Sequence, residues 1–364
     1  MATTTTNYGF DVPTSSDLVK NGATQIALLG QDLDTFLFRP FTRNGVINSA
    51  MQIWQRGTST TSTNGNGLFG ADRWKVYSAT TGRTISQQVT NDTTNLPNIQ
   101  YCSRLARDNA NTNTSAITYW QNFETFNTRP FSGQTVTLSF YGRKGANYSE
   151  ASSNLNVVVR TGTGTDQDAF YSGYTGSTDA SNTNKVLTTT WQRFTSTFAI
   201  AATATEMAIG FTANFAGTAG AADYVEITGV MLEVGSQASP YTPCTPTYAT
   251  ELAACQRYYF RSTPASSFGW LGSGVAQSTT VTSMAVTLPT TMRVVPTSVD
   301  FSTLSLVDGV TATAVTTCTI DSNVTSNNFG VVTASVASGL TQYRPYYLRQ
   351  NSSSAGFIGF SAEL

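Results

Sequence analysis

Between about Phe41 and Pro243, apolar and hydroxyl-bearing residues alternate with a period of two, and that pattern leaves a chain few ways to fold. In Val136-Thr137-Leu138-Ser139-Phe140 every second side chain is apolar. Leu155, Val157 and Val159 repeat the pattern, as do Met207, Ile209, Phe211, Ala213 and Phe215. Phe194, Ser196, Phe198 and Ile200 form a further run, entered through Trp191. Successive side chains of a strand point to opposite faces, so each run has one face to bury and one to leave in water. Turn-forming clusters separate the runs: Asn64-Gly65-Asn66-Gly67, Gly162-Thr163-Gly164 and Gly217-Thr218-Ala219-Gly220. Many short half-buried strands with such turns predict a β-sandwich or jelly roll.

The flanking segments read differently. Residues 1–40 carry Val19, Ile26, Leu29, Leu33 and Phe36 at heptad spacing, with Ser15-Ser16-Asp17 as helix caps and Gly22 breaking the seam. A helix of this length is marginal alone in water. With no core of its own beside it, it is expected to dock or oligomerise. Around 244–262, Thr245-Pro246 offers a helix start, and Tyr248, Leu252, Cys255 and Tyr259 keep helical spacing up to Arg261. Residues 263–364 return to alternation in Met284, Val286 and Leu288, in Val299 and Phe301, and in Ile358, Phe360, Ala362 and Leu364. The expectation is therefore an all-β protein: a jelly-roll β-sandwich over 41–243, a linker helix over 244–262, and a smaller β domain over 263–364 that ends in a strand reaching the last residue. An N-terminal helix precedes them.

Composition removes several function classes. The 364 residues include no histidine, so Ser-His-Asp and Cys-His nucleophile systems are excluded. Charged residues make up 11%, against about 25% in ordinary soluble domains. The net charge is −1, with no basic stripe for nucleic acid. No apolar run approaches the ~20 residues of a membrane span. Met1 to Thr6 lack the basic and apolar regions of a signal peptide, so a chain made in soluble form is expected. Cys102, Cys244, Cys255 and Cys318 contain no C-x-x-C pair and are expected to be reduced, buried thiols. No zinc site is expected from them.

Two carboxylate pairs are crowded in sequence, Asp166 with Asp168 and Asp223 with Glu226. Glycoside hydrolysis needs such a pair. In a Gly/Thr loop, Asp166 and Asp168 more often make a solvated turn or contribute to a calcium ligand set. No enzymatic activity is expected.

Several motifs resemble those of phage tail fibres. The run Asn44-Gly45-Val46-Ile47-Asn48-Ser49-Ala50-Met51-Gln52-Ile53-Trp54-Gln55-Arg56-Gly57, followed by Ala71-Asp72-Arg73-Trp74, looks like the opening of a tail-fibre module. Glu251-Leu252-Ala253-Ala254-Cys255-Gln256-Arg257-Tyr258-Tyr259 is similar to a linker of such proteins, and Pro289-Thr290-Thr291-Met292-Arg293 with Ser361-Ala362-Glu363-Leu364 to their closing segment. The Thr-rich start followed by Asp17-Leu18-Val19-Lys20 resembles a virion-attachment segment. Trp191-Gln192-Arg193-Phe194, and the run from Ile227 to Gly235 followed by Pro240-Tyr241-Thr242-Pro243, resemble jelly-roll carbohydrate-binding modules. This implies a homotrimeric tail fibre that is made in the host cytoplasm and resides in the virion. Residues 1–40 would join other tail proteins, the β domains would recognise a host surface glycan, and no membrane insertion would be involved. Two other readings are a structural virion protein (a tail-fibre adaptor or capsid decoration) and a polysaccharide depolymerase, which lacks here the long parallel β-helix repeat.

A glycan reader needs flat apolar rings for the C–H face of a pyranose and amides or hydroxyls for its polar groups. Of 5 Trp and 16 Tyr, most must be core, and Trp54, Trp74 and Trp191 beside regular strands are assigned there. Trp120 beside Tyr119 and Gln121-Asn122, Tyr171 and Tyr174 in a Gly/Ser loop, Trp270 flanked by Gly269 and Gly272, and Tyr346-Tyr347 after Pro345 are the glycan-binding candidates. Modest single sites suffice if several chains bind together.

Overall fold

The computed structural model describes residues 44–96 and 98–364, the segment 21–37, and residues 3, 4, 10–12, 14 and 18. The chain forms two compact units, Met1–Pro246 and Thr247–Leu364. No described helix is long and apolar enough to cross a membrane.

In the first unit, β1 (Thr3–Thr4) pairs with β2 (Asp11–Val12), and α1 spans Gly22–Leu37. On α1, Ile26 and Leu33 are exposed and Leu29 is half-buried. Val19, the caps Ser15-Ser16-Asp17 and the side chain of Phe36 lie outside the described residues.

The sandwich is built from β3 (Ser59–Phe69), β4 (Lys75–Val89), β5 (Tyr101–Arg107), β6 (Ile117–Phe123), β7 (Thr135–Lys144), β8 (Asn154–Gly162), β9 (Thr178–Val186), β10 (Gln192–Ala199), β11 (Glu206–Ala213) and β12 (Tyr224–Val234). A short helix, α2 (Thr125–Thr128), follows β6. All pairings are antiparallel, in the order β10-β7-β12-β5-β4-β6-β11-β8-β9, with β3 alongside β4. β4 joins both layers. Its Lys75–Tyr77 end pairs with β6 and its Arg83–Val89 end with β5. The period-two alternation of the sequence lays one apolar face of each layer inward. An aromatic chain runs through the core: Trp74 stacks on Tyr119 at 5.1 Å and meets Phe211 at 5.9 Å, Phe211 meets Phe140 at 5.0 Å, and Phe140 stacks on Phe194 at 5.3 Å. A buried Trp removes up to ~250 Å² from water, worth at most ~6 kcal/mol at ~25 cal/mol/Å².

Buried charges tie down loops. Arg107 meets Asp223 at 2.7 Å with both side chains fully buried. It also donates to the carbonyls of Asn113, Ala216 and Gly217. Glu226, likewise buried, takes Arg104 on one oxygen and Arg143 on the other.

The second unit begins with α3 (Tyr248–Gln256), capped by Thr247, whose hydroxyl accepts from the Thr250 N–H in a capping box. β13 (Tyr259–Ser262), β21 (Phe357–Ser361) and β16 (Ser298–Ser302) form a three-stranded sheet. β14 (Trp270–Ala276), β15 (Val281–Thr287), β19 (Phe329–Val336), β18 (Ala312–Ile320), β17 (Leu304–Val307) and β20 (Pro345–Gln350) close into a barrel in that order. Met284, Val332, Leu348 and Phe360 are at the centre of a separate core.

The all-β architecture with a few helices matches the sequence reading, and four local expectations do not. Asn64-Gly65-Asn66-Gly67 lies inside β3, which absorbs it through register shifts against β4. The helix starts after Thr247 and stops at Gln256, because 259–262 pairs with β21 and buries Tyr259; strand pairing overrides the helical spacing up to Arg261. The last strand ends at Ser361. Cys102, Cys255 and Cys318 are buried, but Cys244 is only half-buried. Burial pushes the Cys318 thiol up to about 12.

Candidate functional site

The layer β4-β6-β11-β8-β9 turns one face to the core and the other outward. Outward positions fall in rows across the strands, because the pairing is in register. One row is Tyr77, Thr118, Thr212, Asn156 and Asn184, each directly opposite the next. At about 4.8 Å between strands, it spans about 19 Å. Thr118 and Thr212 share a hydroxyl contact of 3.2 Å. Asn156 donates to Asn184 at 3.0 Å and to Asn182 at 2.9 Å. Tyr77 and Asn184 are exposed, and the three between are partly so.

The next rows are roofed. Lys75, Trp120, Gly210, Val158 and Asn182 form one, and Asn122, Ala208, Arg160 and Asp179 another. The 163–177 connection folds back over them as far as β8, and Asn182 and Asp179 at their β9 ends stay exposed. Phe170 lies over Gly210, where an added Cβ would come within 2.5 Å of the ring, and it packs against Trp120 at 5.4 Å. Asp168 anchors the roof. It pairs with the Lys75 ammonium at 2.6 Å, accepts the Trp120 indole N–H at 3.1 Å, and accepts the backbone N–H of Phe170 at 3.1 Å and Tyr171 at 3.3 Å. The Asn122 amide oxygen accepts from the Ala169 N–H at 3.1 Å and the Tyr174 hydroxyl at 3.3 Å. Burial raises the Tyr174 phenol above its ordinary range, and the Glu206 and Asp168 carboxylates add to it. Tyr171, held at its backbone by Asp168, is 64% exposed.

The candidate rings therefore divide. Tyr171 is open to ligand. Trp270 and Tyr347 are exposed together on the C-terminal barrel. Trp120, Tyr174 and Tyr346 are not available: all three are buried. Trp120 does stand on the outward face, but the folded-back connection covers it. Tyr346 points into the barrel while its neighbour Tyr347 points out, as alternation along β20 requires. Trp54, Trp74 and Trp191 are core, as assigned. The sequence reading missed the row from Tyr77 to Asn184. Its signal was present, as Thr and Asn at outward positions of separate strands, but only the register aligns them.

The carboxylate pairs are committed to structure. Asp166 accepts from the Thr125 N–H at 2.8 Å, Asp168 serves the roof, and Asp223 and Glu226 each sit against arginines. Among the described residues no cluster of three or more Cys, Asp or Glu is placed to hold a metal ion. A calcium ion at Asp166 and Asp168, the alternative to a solvated turn, would meet oxygens already engaged by protein donors.

No family model matches the chain, and no curated protein does. Among solved structures, the enzymatically active domain of bacteriophage CBA120 tailspike protein 4 aligns at 13% identity and TM-score 0.33, over 53% of this chain and 22% of that one. The chain thus matches about a fifth of that domain's length. A CBM4 carbohydrate-binding module aligns at 16% and 0.32, over 52% of this chain and 98% of that one. A xylan-binding domain from CBM 22 aligns at 14% and 0.29, over 50% and 97%. At these values the likeness is distant, and the site rests on its own residues.

Proposed function

We propose that this chain is a non-enzymatic glycan-binding protein and serves as a virion appendage of the phage tail-fibre kind. The observation that carries the glycan reading is the open row Tyr77, Thr118, Thr212, Asn156 and Asn184 beside the fixed loop that presents Tyr171. A row of hydroxyls and amides about 19 Å long matches an extended polar chain better than a compact ligand. Tyr171 adds an apolar ring to which the C–H face of a sugar can be applied. The sparse charge of the chain supports an uncharged or weakly charged partner. Assignment to a virion rests on the resemblance of the sequence motifs. Attachment and trimer formation are assigned to the N-terminal segment, where Ile26 and Leu33 are exposed on α1. Binding without chemistry is supported by the engagement of the four candidate carboxylates.

The test is retention of the full-length protein in native gels cast with host surface polysaccharide, beside the double variant Asn156→Ala/Asn184→Ala and the single variant Tyr171→Ala. Retention that weakens in both variants is expected. Retention by no polysaccharide, together with tight capture by another virion protein, would replace this reading with the structural adaptor.

A further inference from the structure

We propose that the C-terminal barrel carries a second, separate saccharide site, a groove that takes an uncharged sugar chain. Its wall is the pair Trp270 and Tyr347. In the β14–β20 pairing Trp270 stands opposite Arg349 and Ser273 opposite Tyr347, with a register shift between Trp270 and Gly272. Such a shift re-aims a side chain, and here the Trp270 ring lies against Tyr347 with centroids 4.1 Å apart and planes within 17°. The rings are 65% and 40% exposed. Leaving two large rings in water forgoes the stabilisation that burial would bring, and stacking on Tyr347 fixes the Trp270 ring so that its outer face is a preformed flat surface.

The groove beside the pair has a volume of about 480 Å³, and Phe260, Phe329, Ser262 and Thr287 also line it. Gly272 keeps the floor bare. Its backbone lies so near β15 that an added Cβ would come 2.4 Å from the Ala285 carbonyl oxygen. The hydroxyls of Ser262, Ser273 and Thr287, all on the lining, form no hydrogen bond among the described residues. No charged side chain lines the groove. The cation next in the strand pairing, Arg349, is held over the Phe268 ring at 4.9 Å.

These features select the ligand. Rings would take the C–H face of a pyranose, and the unpaired hydroxyls would meet its polar edge. With no charge on the lining, an anionic sugar has nothing to pair with. A drug-like apolar molecule needs enclosing walls, whereas this groove is open along one side. The groove shares no residue with the row on the N-terminal unit, so it does not depend on that row binding anything.

The other four tryptophans, Trp54, Trp74, Trp120 and Trp191, are buried, so an emission change on binding reports Trp270. The experiment titrates the full-length protein, and its Tyr171→Ala variant, with neutral xylan, neutral galactan, dextran and polygalacturonate. At least one neutral polysaccharide is expected to shift the emission to the blue and to protect it from acrylamide in both proteins. Affinity should change less than about twofold with salt. By isothermal titration calorimetry in the Tyr171→Ala background, which needs no tryptophan signal, Trp270→Ala and Tyr347→Ala should each weaken binding at least about tenfold, while Trp270→Phe, which keeps a ring, retains most of it. The site is overturned if no neutral polysaccharide moves the emission although Tyr171-dependent retention persists. The ligand class is overturned if polygalacturonate binds best and salt releases it. A fall in sedimentation mass on Trp270→Ala, with saccharide binding unchanged, would make the pair a contact between copies and overturn the proposal.

Discussion

At the residue scale, the difference between Trp120 and Trp270 explains most of what a sequence can and cannot reveal about the sites. Asp168 decides the first. Its carboxylate faces the Lys75 ammonium and the Trp120 indole together, so Asp168→Ala removes the carboxylate that pairs with a largely buried cation. A loss of about 3 kcal/mol is expected by thermal melting. Tyr171→Ala, at an exposed position, should stay within about 0.5 kcal/mol in the same assay. Glu206 supplies a pH test. Burial raises its carboxyl above the ordinary 4.5, so the protonated form suits the fold. That contribution is complete below the unfolded value and fades as pH rises through the folded one. Relative to Glu206→Gln, the native protein should therefore lose stability as pH rises from about 4 upward, measured by melting temperature across pH. Glycines on either side of Trp270 marked it correctly from sequence as an exposed ring. Trp120 was misplaced because a connection about 45 residues further on covers it, and no local signal shows a return of that kind.

At the element scale, alternation identified most of the strands of both units: β15 buries alternate side chains, whereas β7 and β11 are buried on both faces and carry the alternation only in residue type, hydroxyls and small residues against large apolar ones. It could not place Asn64-Gly65-Asn66-Gly67, where turn-forming residues sit inside a strand because β4 holds them in a ladder with register shifts. Nor could it align Thr118, Thr212, Asn156 and Asn184, since register belongs to the pairing and not to any single strand. The roof makes a prediction at this scale. Gly210→Val places methyl groups where the Phe170 ring lies, and overpacking of this kind costs about 1–3 kcal/mol. The relief available is for the 163–177 connection to lift. Limited proteolysis should then cut within 163–177, and Trp120 emission should move to the red.

At the scale of the whole molecule, sparse charge and the exposed apolar positions of α1 are the relevant features. Few ion pairs mean little to screen, so the urea midpoint should move little between low and high salt. Ile26→Asp with Leu33→Asp should lower the sedimentation mass from that of a trimer to that of a single chain, if the segment assembles as proposed. An unchanged mass would remove the helix from that role. One consequence of the sandwich's construction concerns load. β4 runs as one strand through both layers, pairing with β6 at one end and β5 at the other. A pull that drives the layers past each other is carried by covalent backbone, not only by the greasy contact between sheets. Under tension the sandwich should therefore yield by unzipping from β9 or β10, the strands that end the pairing order, while β4 holds the two layers together as a mechanical tie.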